Sequence, residues 1–133
     1  MGLTAIFGIA GSAMGAESVR LSTVASNLAN ANATAGSADA AYRTRMPVFQ
    51  TVPGPSGDAG VEVSSVVETT AAPARRYAPH DPQANAQGYV YDSTVNPVDA
   101  MVNMISASRS YQNDVETLNT AKQLMLDTLK LSQ

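Results

Sequence analysis

Residues 96–131 read NPVDAMVNMISASRSYQNDVETLNTAKQLMLDTLKL, and this stretch decides the fold. Asn96 can cap a helix, Pro97 suits the first helical position, and Asp99 brings a carboxylate near the exposed N–H groups of the first turn. No further proline or glycine follows in the sequence. The stretch therefore predicts one long helix that starts at residues 96–97.

Apolar side chains recur along this helix in alternating steps of three and four residues. A repeat of about 3.5 residues forms a stripe on one side of a helix, and the stripe needs a partner helix. Ser108 and Lys122 interrupt it, and we interpret Lys122 as reaching out of a wide interface. The residues predicted to pack between subunits are Met101, Met104, Ile105, Tyr111, Val115, Leu118, Met125 and Leu129.

The N-terminal segment carries a second stripe with the same spacing. Glu17 interrupts it, and Arg20, three residues further on, is its candidate local partner. Stripes at both ends of one chain indicate that these segments pair with each other, with other copies, or with both. The N-terminal residues predicted to pack between subunits are Leu3, Phe7, Ala10, Met14, Leu21, Val24, Leu28 and Ala31.

Three glycines weaken this N-terminal helix. Gly8, Gly11 and Gly15 each cost roughly 1 kcal/mol relative to alanine in a helix interior. With Ser12 and Ala16 they are predicted to form a row of small residues against which another backbone can pack closely. The alternative is a frayed N-terminus, and one chain can show both: frayed alone and ordered in an assembly.

The middle of the chain has a different pattern. Val48 to Val52, Val61 to Val67 and Gly88 to Tyr91 are predicted strands, and the segment 53–60 is predicted to be a flexible tip. Five of the seven aromatic residues lie here, and we expect them to form a small β core. A ligand platform is the alternative. The five residues are Tyr42, Phe49, Tyr77, Tyr89 and Tyr91.

These patterns predict a mainly α protein with a small β-rich middle. The expected parts are an N-terminal helix in 1–34, a β-rich or loop domain in 35–95 and a C-terminal helix in 96–133. We expect the two long helices to pack as a coiled-coil-like pair in an elongated subunit that forms polymers.

Composition points away from several function classes. Charged residues make up 14% of the chain, against about 25% on average. With a net charge of −3 and no basic cluster larger than Arg75-Arg76, nucleic acid is not an expected partner. The absence of cysteine excludes thiol chemistry, and His80, the only histidine, lies in a proline-flanked loop. We expect no enzyme activity, cofactor or metal.

No apolar run approaches the length of a membrane span, so direct membrane insertion is not expected. A cleaved secretory signal is not expected either, because the first arginine is Arg20 and the N-terminal stripe continues without a break.

Several blocks of the sequence are similar to a known family. The segment RLSTVASNLANA, residues 20–31, resembles the N-terminal signature of bacterial flagellar rod and hook proteins. The segments 6–14, 42–43, 48–50, 101–112 and 115–122 agree with the short rod members, which lack large middle domains. The residues of these blocks that we take as the family motif are Arg20, Ser26, Asn27, Asn30, Asn103, Arg109 and Asn119.

This resemblance implies a structural subunit of the flagellar basal-body rod. It implies terminal helices packed into a hollow tube, which acts as a drive shaft across the periplasm and transmits torque for motility. It also implies export through the flagellar type III apparatus without a cleaved signal. The implied neighbours are further copies of the chain, the rod proteins FlgB, FlgF and FlgG, and the adaptor FliE. A small helical export-related binding protein or chaperone is the alternative function.

Overall fold

The computed structural model describes residues 2–54 and 57–131 of the 133-residue chain. Two long helices lie at the ends of the sequence and short strands lie between them, so the predicted mainly α fold with a small β-rich middle is confirmed. The elements are α1 (Leu3–Ala29), β1 (Thr34–Ala35), β2 (Arg45–Pro53), β3 (Ala59–Glu68), β4 (Arg75–Tyr77), β5 (Tyr89–Asp92) and α2 (Pro97–Leu131).

Helix α2 starts as its sequence predicts. The Oδ1 atom of Asn96 accepts hydrogen bonds from the backbone N–H groups of Val98 at 3.0 Å and Asp99 at 3.4 Å. The backbone carbonyl of Asn96 accepts the bond from Ala100 N–H at 3.0 Å. Asn96 is therefore the N-cap, and the first turn has two of its orphan donors satisfied.

Two compact units share the chain. The first unit contains residues up to Leu21, 47–65 and those from Ile105 onward, and the second contains 22–46 and 66–104. Each helix and each of the strands β2 and β3 contributes residues to both units. Whether the parts 1–34, 35–95 and 96–133 behave as domains stays a prediction.

In the first unit, β2 and β3 form a two-stranded sheet. The connection between them is closed by a hydrogen bond of 2.7 Å from Gly54 N–H to the Asp58 carbonyl, and Gly57 has a φ of +78°. Part of the predicted flexible tip at 53–60 thus belongs to strands, because β2 ends at Pro53 and β3 begins at Ala59. Residues 55–56 lie outside the described residues.

One serine connects this sheet to helix α1. The hydroxyl of Ser12 donates to the Ile9 carbonyl at 2.8 Å and accepts from Val61 N–H at 3.2 Å. A Cβ atom at Gly60 would lie 3.0 Å from the Ser12 Oγ, so the close approach of β3 to the helix requires glycine there. The buried residues of this unit are Ala5, Ala10, Ala16, Ala107 and Ala121.

In the second unit, an antiparallel sheet has the strand order β1-β5-β4. Thr34 pairs with Asp92, Arg75 with Tyr91 and Tyr77 with Tyr89. Val90, in the central strand, is completely buried. A separate hydrophobic cluster consists of Val24, Val95 and Ala100, with Leu28, Ala31, Tyr42 and Met104 packed against it.

The three predicted strands are confirmed, but the predicted aromatic core is wrong. Tyr77 is 64% exposed and Phe49 is 43% exposed, whereas Tyr42 packs against the cluster around Val24. Small residues, mostly alanine, are the buried apolar residues instead. The strands β1 and β4 were not predicted, since two or three residues are too few to show a period.

Among the described residues, neither helix combines the length and the apolar character that crossing a bilayer requires.

Candidate subunit interface

The predicted stripe of α2 divides between two environments. Met104, Tyr111, Val115, Leu118 and Met125 are half-buried within the chain. The other three members are exposed, at 48% for Met101, 57% for Ile105 and 58% for Leu129. The first set therefore packs inside the subunit, and the second set is accessible to other molecules.

The most buried positions of α2 are not those of the predicted stripe. Ala100, Ala107 and Ala121 are buried, at 6%, 0% and 2% exposure. Each directly precedes a residue that the prediction placed in the stripe, and two of those residues, Met101 and Lys122, are exposed. Alanine occupies the inward positions because its small side chain allows neighbouring elements to approach closely.

Large apolar side chains consequently lie on the outside of α2. Val98 is 65% exposed and Val102 is 61% exposed, and both adjoin Met101 and Ile105. Spacings of three, four and seven residues place these four side chains on one side of the helix. We call Val98, Met101, Val102 and Ile105 the outer apolar stripe.

The predicted stripe of α1 mostly faces its own chain. Ala10 and Val24 are buried. In the second unit, Val24 belongs to the cluster that contains Ala100, and Leu28 packs against the same cluster with Met104. The half-buried members of the stripe are Leu3, Phe7, Met14, Leu21, Leu28 and Ala31.

The glycines of α1 lie on a different side of the helix. A Cβ atom at Gly11 or Gly15 would meet nothing within 4 Å, and one at Gly8 would make an ordinary contact with Asp58. The prediction that Ser12 and Ala16 share their row is wrong, because Ser12 bonds to β3 and Ala16 is buried. The exposed positions at steps of four and three, which we call the small-residue row, are Thr4, Gly8, Gly11, Gly15, Ser18, Ser22, Ala25 and Ala29.

Glu17 and Arg20 pair as predicted. The Nη1 atom of Arg20 lies 3.4 Å from the Glu17 carboxylate, and both side chains are largely buried, with 22% and 15% exposure. Arg20 also donates to the Ser106 hydroxyl at 3.4 Å. This pair therefore satisfies the charge of Glu17 and links α1 to α2 within the first unit.

Asn27 holds the start of strand β2. Its Nδ2 donates to the Arg45 carbonyl at 2.8 Å, and its Oδ1 accepts from the Arg45 N–H at 2.9 Å. The same oxygen accepts from the Tyr42 hydroxyl at 3.1 Å. The amide thus bonds to Arg45 as a neighbouring strand would, and Asn27 is only 4% exposed. We call this arrangement the Asn27 clamp.

Other motif residues occupy two kinds of position. The Ser26 hydroxyl lies 3.1 Å from the Tyr42 hydroxyl. Asn30 Nδ2 donates to the Ser26 carbonyl at 2.8 Å, as a second donor beside the Asn30 backbone N–H at 3.2 Å. Sequence reasoning found these residues but not their partners. The motif residues of α2 lie at the surface, and they are Asn103, Arg109 and Asn119.

His80 is exposed. Within 2–54 and 57–131, no three or more His, Cys, Asp or Glu side chains converge as metal ligands.

Comparisons with known proteins agree at both ends of the chain. A family model described as "Flagella basal body rod protein" matches residues 7–36. A second model, "Flagellar basal body rod FlgEFG protein C-terminal", matches residues 86–131. The first range contains most of α1, and the second contains all of α2.

Whole-chain relatives are similar over their full length. The flagellar basal-body rod protein FlgC of Salmonella typhimurium strain LT2 is 48% identical over 134 residues, covering all of both chains. The FlgC of Escherichia coli O157:H7 is also 48% identical, and that of Yersinia enterocolitica is 46% identical, with the same coverage. Because relatives 46–48% identical to it cover the whole chain and rod-protein family models match both of its ends, the chain belongs to the FlgC family of flagellar basal-body rod proteins.

Proposed function

We propose that this structural rod subunit polymerises through α1 and α2 into a hollow tube that transmits torque. The observation that carries the proposal is the outward side of the two helices. One presents the small-residue row and the other presents the outer apolar stripe. Packing between subunits through these surfaces would explain residues for which the single chain gives no reason.

The outer apolar stripe supports the proposal by its size. Exposed apolar residues that are scattered singly are ordinary, but a contiguous patch marks an interaction site. Val98, Val102 and Ile105 are each more than half exposed. Covering such side chains contributes on the order of 25 cal/mol for each Å² of apolar surface removed from water.

The small-residue row supports it by its cost. Glycines inside a helix are unfavourable by about 1 kcal/mol each relative to alanine. In the part of the chain that the structure describes, no atom outside the neighbouring helix backbone lies within 4 Å of a Cβ built at Gly11 or Gly15. The cost is offset if another backbone approaches this side of α1, which is the close packing that the sequence predicts.

The same proposal covers partners and location. Further copies, FlgB, FlgF, FlgG and FliE are the proposed neighbours in the rod, and the rod crosses the periplasm. The chain reaches it through the flagellar type III export apparatus without a cleaved signal. Its role is structural rather than enzymatic, with torque carried as shear over many buried contacts.

Aspartate substitutions in the helix stripes test the proposal. Val98→Asp and Val102→Asp each place a carboxylate in the outer apolar stripe, which is exposed in the single chain but would be buried between subunits, where desolvation costs several kcal/mol. We expect a strain that carries either variant in place of the parent to synthesise the chain, but to lack rods and to stop swimming. Swimming in soft agar and electron microscopy of basal bodies are the measurements.

His80→Ala is the matched control, because His80 is exposed and lies far from both stripes in the sequence. It should swim as the parent does. Normal rods in both aspartate strains would refute the proposal, and loss of motility in the control strain would point to a role for His80 that the proposal does not contain.

A further inference from the structure

The sheet of the second unit carries an exposed face of tyrosines and arginine. Strand alternation and the pairing of Arg75 with Tyr91 and of Tyr77 with Tyr89 place all four side chains on one face. The opposite face contains Val90, which is completely buried. We call Arg75, Tyr77, Tyr89 and Tyr91 the tyrosine face, and Tyr77 is its most exposed described ring, at 64%.

Contacts within the tyrosine face fix its side chains before any partner arrives. The guanidinium carbon of Arg75 lies 4.5 Å from the centre of the Tyr89 ring, a cation–π contact. Tyr77 and Tyr89 meet edge to face at 5.2 Å between centroids. A Cβ at Gly88 would lie 2.9 Å from Tyr77 Cε2, so Tyr77 rests directly on that glycine. Side chains that are already ordered lose less entropy on binding.

The two adjacent arginines differ in charge compensation. Arg76 donates hydrogen bonds of 3.0 and 3.2 Å to the Asp92 carboxylate. These bonds, together with the negative charge of Asp92, raise the pKa of Arg76 above its usual value. Arg75 makes no ion pair with any residue of 2–54 or 57–131. Its ring contact leaves the N–H edge of the guanidinium available, and a carboxylate is the group that fits this edge.

A groove in the first unit offers the complementary chemistry. It has a volume of about 460 Å³, and its walls include Ile6, Leu124, Thr117 and Glu116. Glu116 is exposed and, among the described residues, makes no ion pair. The groove therefore offers apolar side chains next to an unpaired carboxylate. The tyrosine face offers an exposed ring next to an unpaired guanidinium, which is the complementary arrangement.

We propose that the tyrosine face of one copy docks in the Glu116 groove of a second copy, with Arg75 paired to Glu116 and Tyr77 against Ile6 and Leu124. The inference rests on the proposed function, since it names one contact of the polymer. Two different patches meet, so the contact is heterologous. In a series of copies, the copy at one end keeps an unoccupied groove and the copy at the other end keeps an unoccupied tyrosine face. Such a contact propagates from copy to copy, as an open helical assembly requires.

Cysteine crosslinking tests the contact, because the chain contains no cysteine of its own. Gln87→Cys lies beside Gly88, and Thr120→Cys lines the groove. Neither change removes Arg75, Tyr77 or Glu116. Basal bodies isolated from a strain with both substitutions and treated with a short bismaleimide should yield covalent dimers and larger oligomers of this chain on a denaturing gel.

The control pair is Gln87→Cys with Lys122→Cys, since Lys122 is exposed on α2 but does not line the groove. We expect it to give at least tenfold less crosslinked product. Equal yields from both pairs, no oligomer from the first pair, or a product that contains a different protein would each overturn the proposal.

A charge exchange tests the ion pair in the same crosslinking strain. Arg75→Glu alone and Glu116→Arg alone each place like charges opposite one another and should reduce the yield roughly tenfold, while the double exchange should restore it. Yields that do not respond to the exchange would refute the pairing. Rods that assemble without any such crosslink refute this contact only, whereas absence of the chain from basal bodies refutes the proposed function.

Discussion

At the scale of single residues, Asn27 holds the chain that follows α1 at the start of β2. Its amide bonds to both backbone groups of Arg45, at 2.8 and 2.9 Å, and it also receives the Tyr42 hydroxyl. Three groups thus depend on one buried side chain: the N–H and the carbonyl of Arg45, at the start of β2, and the hydroxyl of Tyr42. Without the amide nitrogen, the Arg45 carbonyl loses this donor. Without the amide oxygen, the Arg45 N–H and the Tyr42 hydroxyl lose this acceptor.

The first prediction concerns Asn27→Asp. The carboxylate has no N–H to donate to the Arg45 carbonyl, and a charge replaces a neutral amide at a position with 4% exposure. We expect the free energy of unfolding to fall by about 2–4 kcal/mol at neutral pH. The loss should shrink as the pH falls towards about 4, where a protonated carboxyl can donate the missing hydrogen bond.

Urea unfolding followed by tyrosine fluorescence measures this change. Asn103→Asp makes the same substitution at an exposed position of α2 and should stay within about 0.5 kcal/mol of the parent. A loss of similar size in both variants would show that charge alone, and not the clamp, determines the effect.

The sequence identified Asn27 but could not reveal its role. The residue belongs to the motif of segment 20–31, yet its partner Arg45 lies eighteen residues further along the chain. Local patterns report the period of a helix or strand, and a side chain that substitutes for a strand has no period. The pairing of Glu17 with Arg20, in contrast, was predictable because both lie on one helix at a spacing of three.

At the scale of elements, both helices were predictable and the inward side of α2 was not. The cap at Asn96 and the apolar repeat specify a helix. The phase was read from the largest apolar side chains, but the structure buries Ala100, Ala107 and Ala121 instead. Periodicity alone does not distinguish a large residue that faces another subunit from one that faces its own chain.

The second prediction tests this phase. Ala121 is 2% exposed, so Ala121→Leu overpacks the first unit and should lower the free energy of unfolding by about 1–3 kcal/mol. Lys122→Leu, at the next residue, adds a leucine to an exposed position and should change it by less than about 0.5 kcal/mol. Thermal unfolding by circular dichroism compares the two, and the opposite order of stabilities would restore the phase read from the sequence.

At the scale of the whole molecule, residues that weaken the single chain are the ones that the proposed assembly would use. The small-residue row lowers the helix propensity of α1 and leaves Gly11 and Gly15 without neighbours at their Cβ positions. The interior of each unit consists of alanines and a few valines, which bury little apolar surface. We infer that the isolated chain is less ordered than the subunit in a rod, since the proposed assembly would cover the outer apolar stripe and the small-residue row only there. A helical export chaperone would instead be well ordered at micromolar concentration.

The third prediction is that one substitution changes order and assembly in opposite directions. Gly15→Leu removes a helix-weakening glycine, so the isolated chain should gain helix, with local stabilisation of about 1 kcal/mol. The same leucine fills the small-residue row, keeps a neighbouring backbone at a distance and should abolish rod assembly and swimming. Far-UV circular dichroism of the purified chain and swimming of the variant strain measure the two effects.

Lys122→Leu is the control, because it adds the same side chain at an exposed position outside the row and should leave swimming intact. Gly57→Leu is unsuitable as a control, because Gly57 has a positive φ that leucine rarely adopts. If the Gly15→Leu chain gains helix and the strain that carries it still swims, no backbone packs closely against this side of α1. The glycines then need a different explanation.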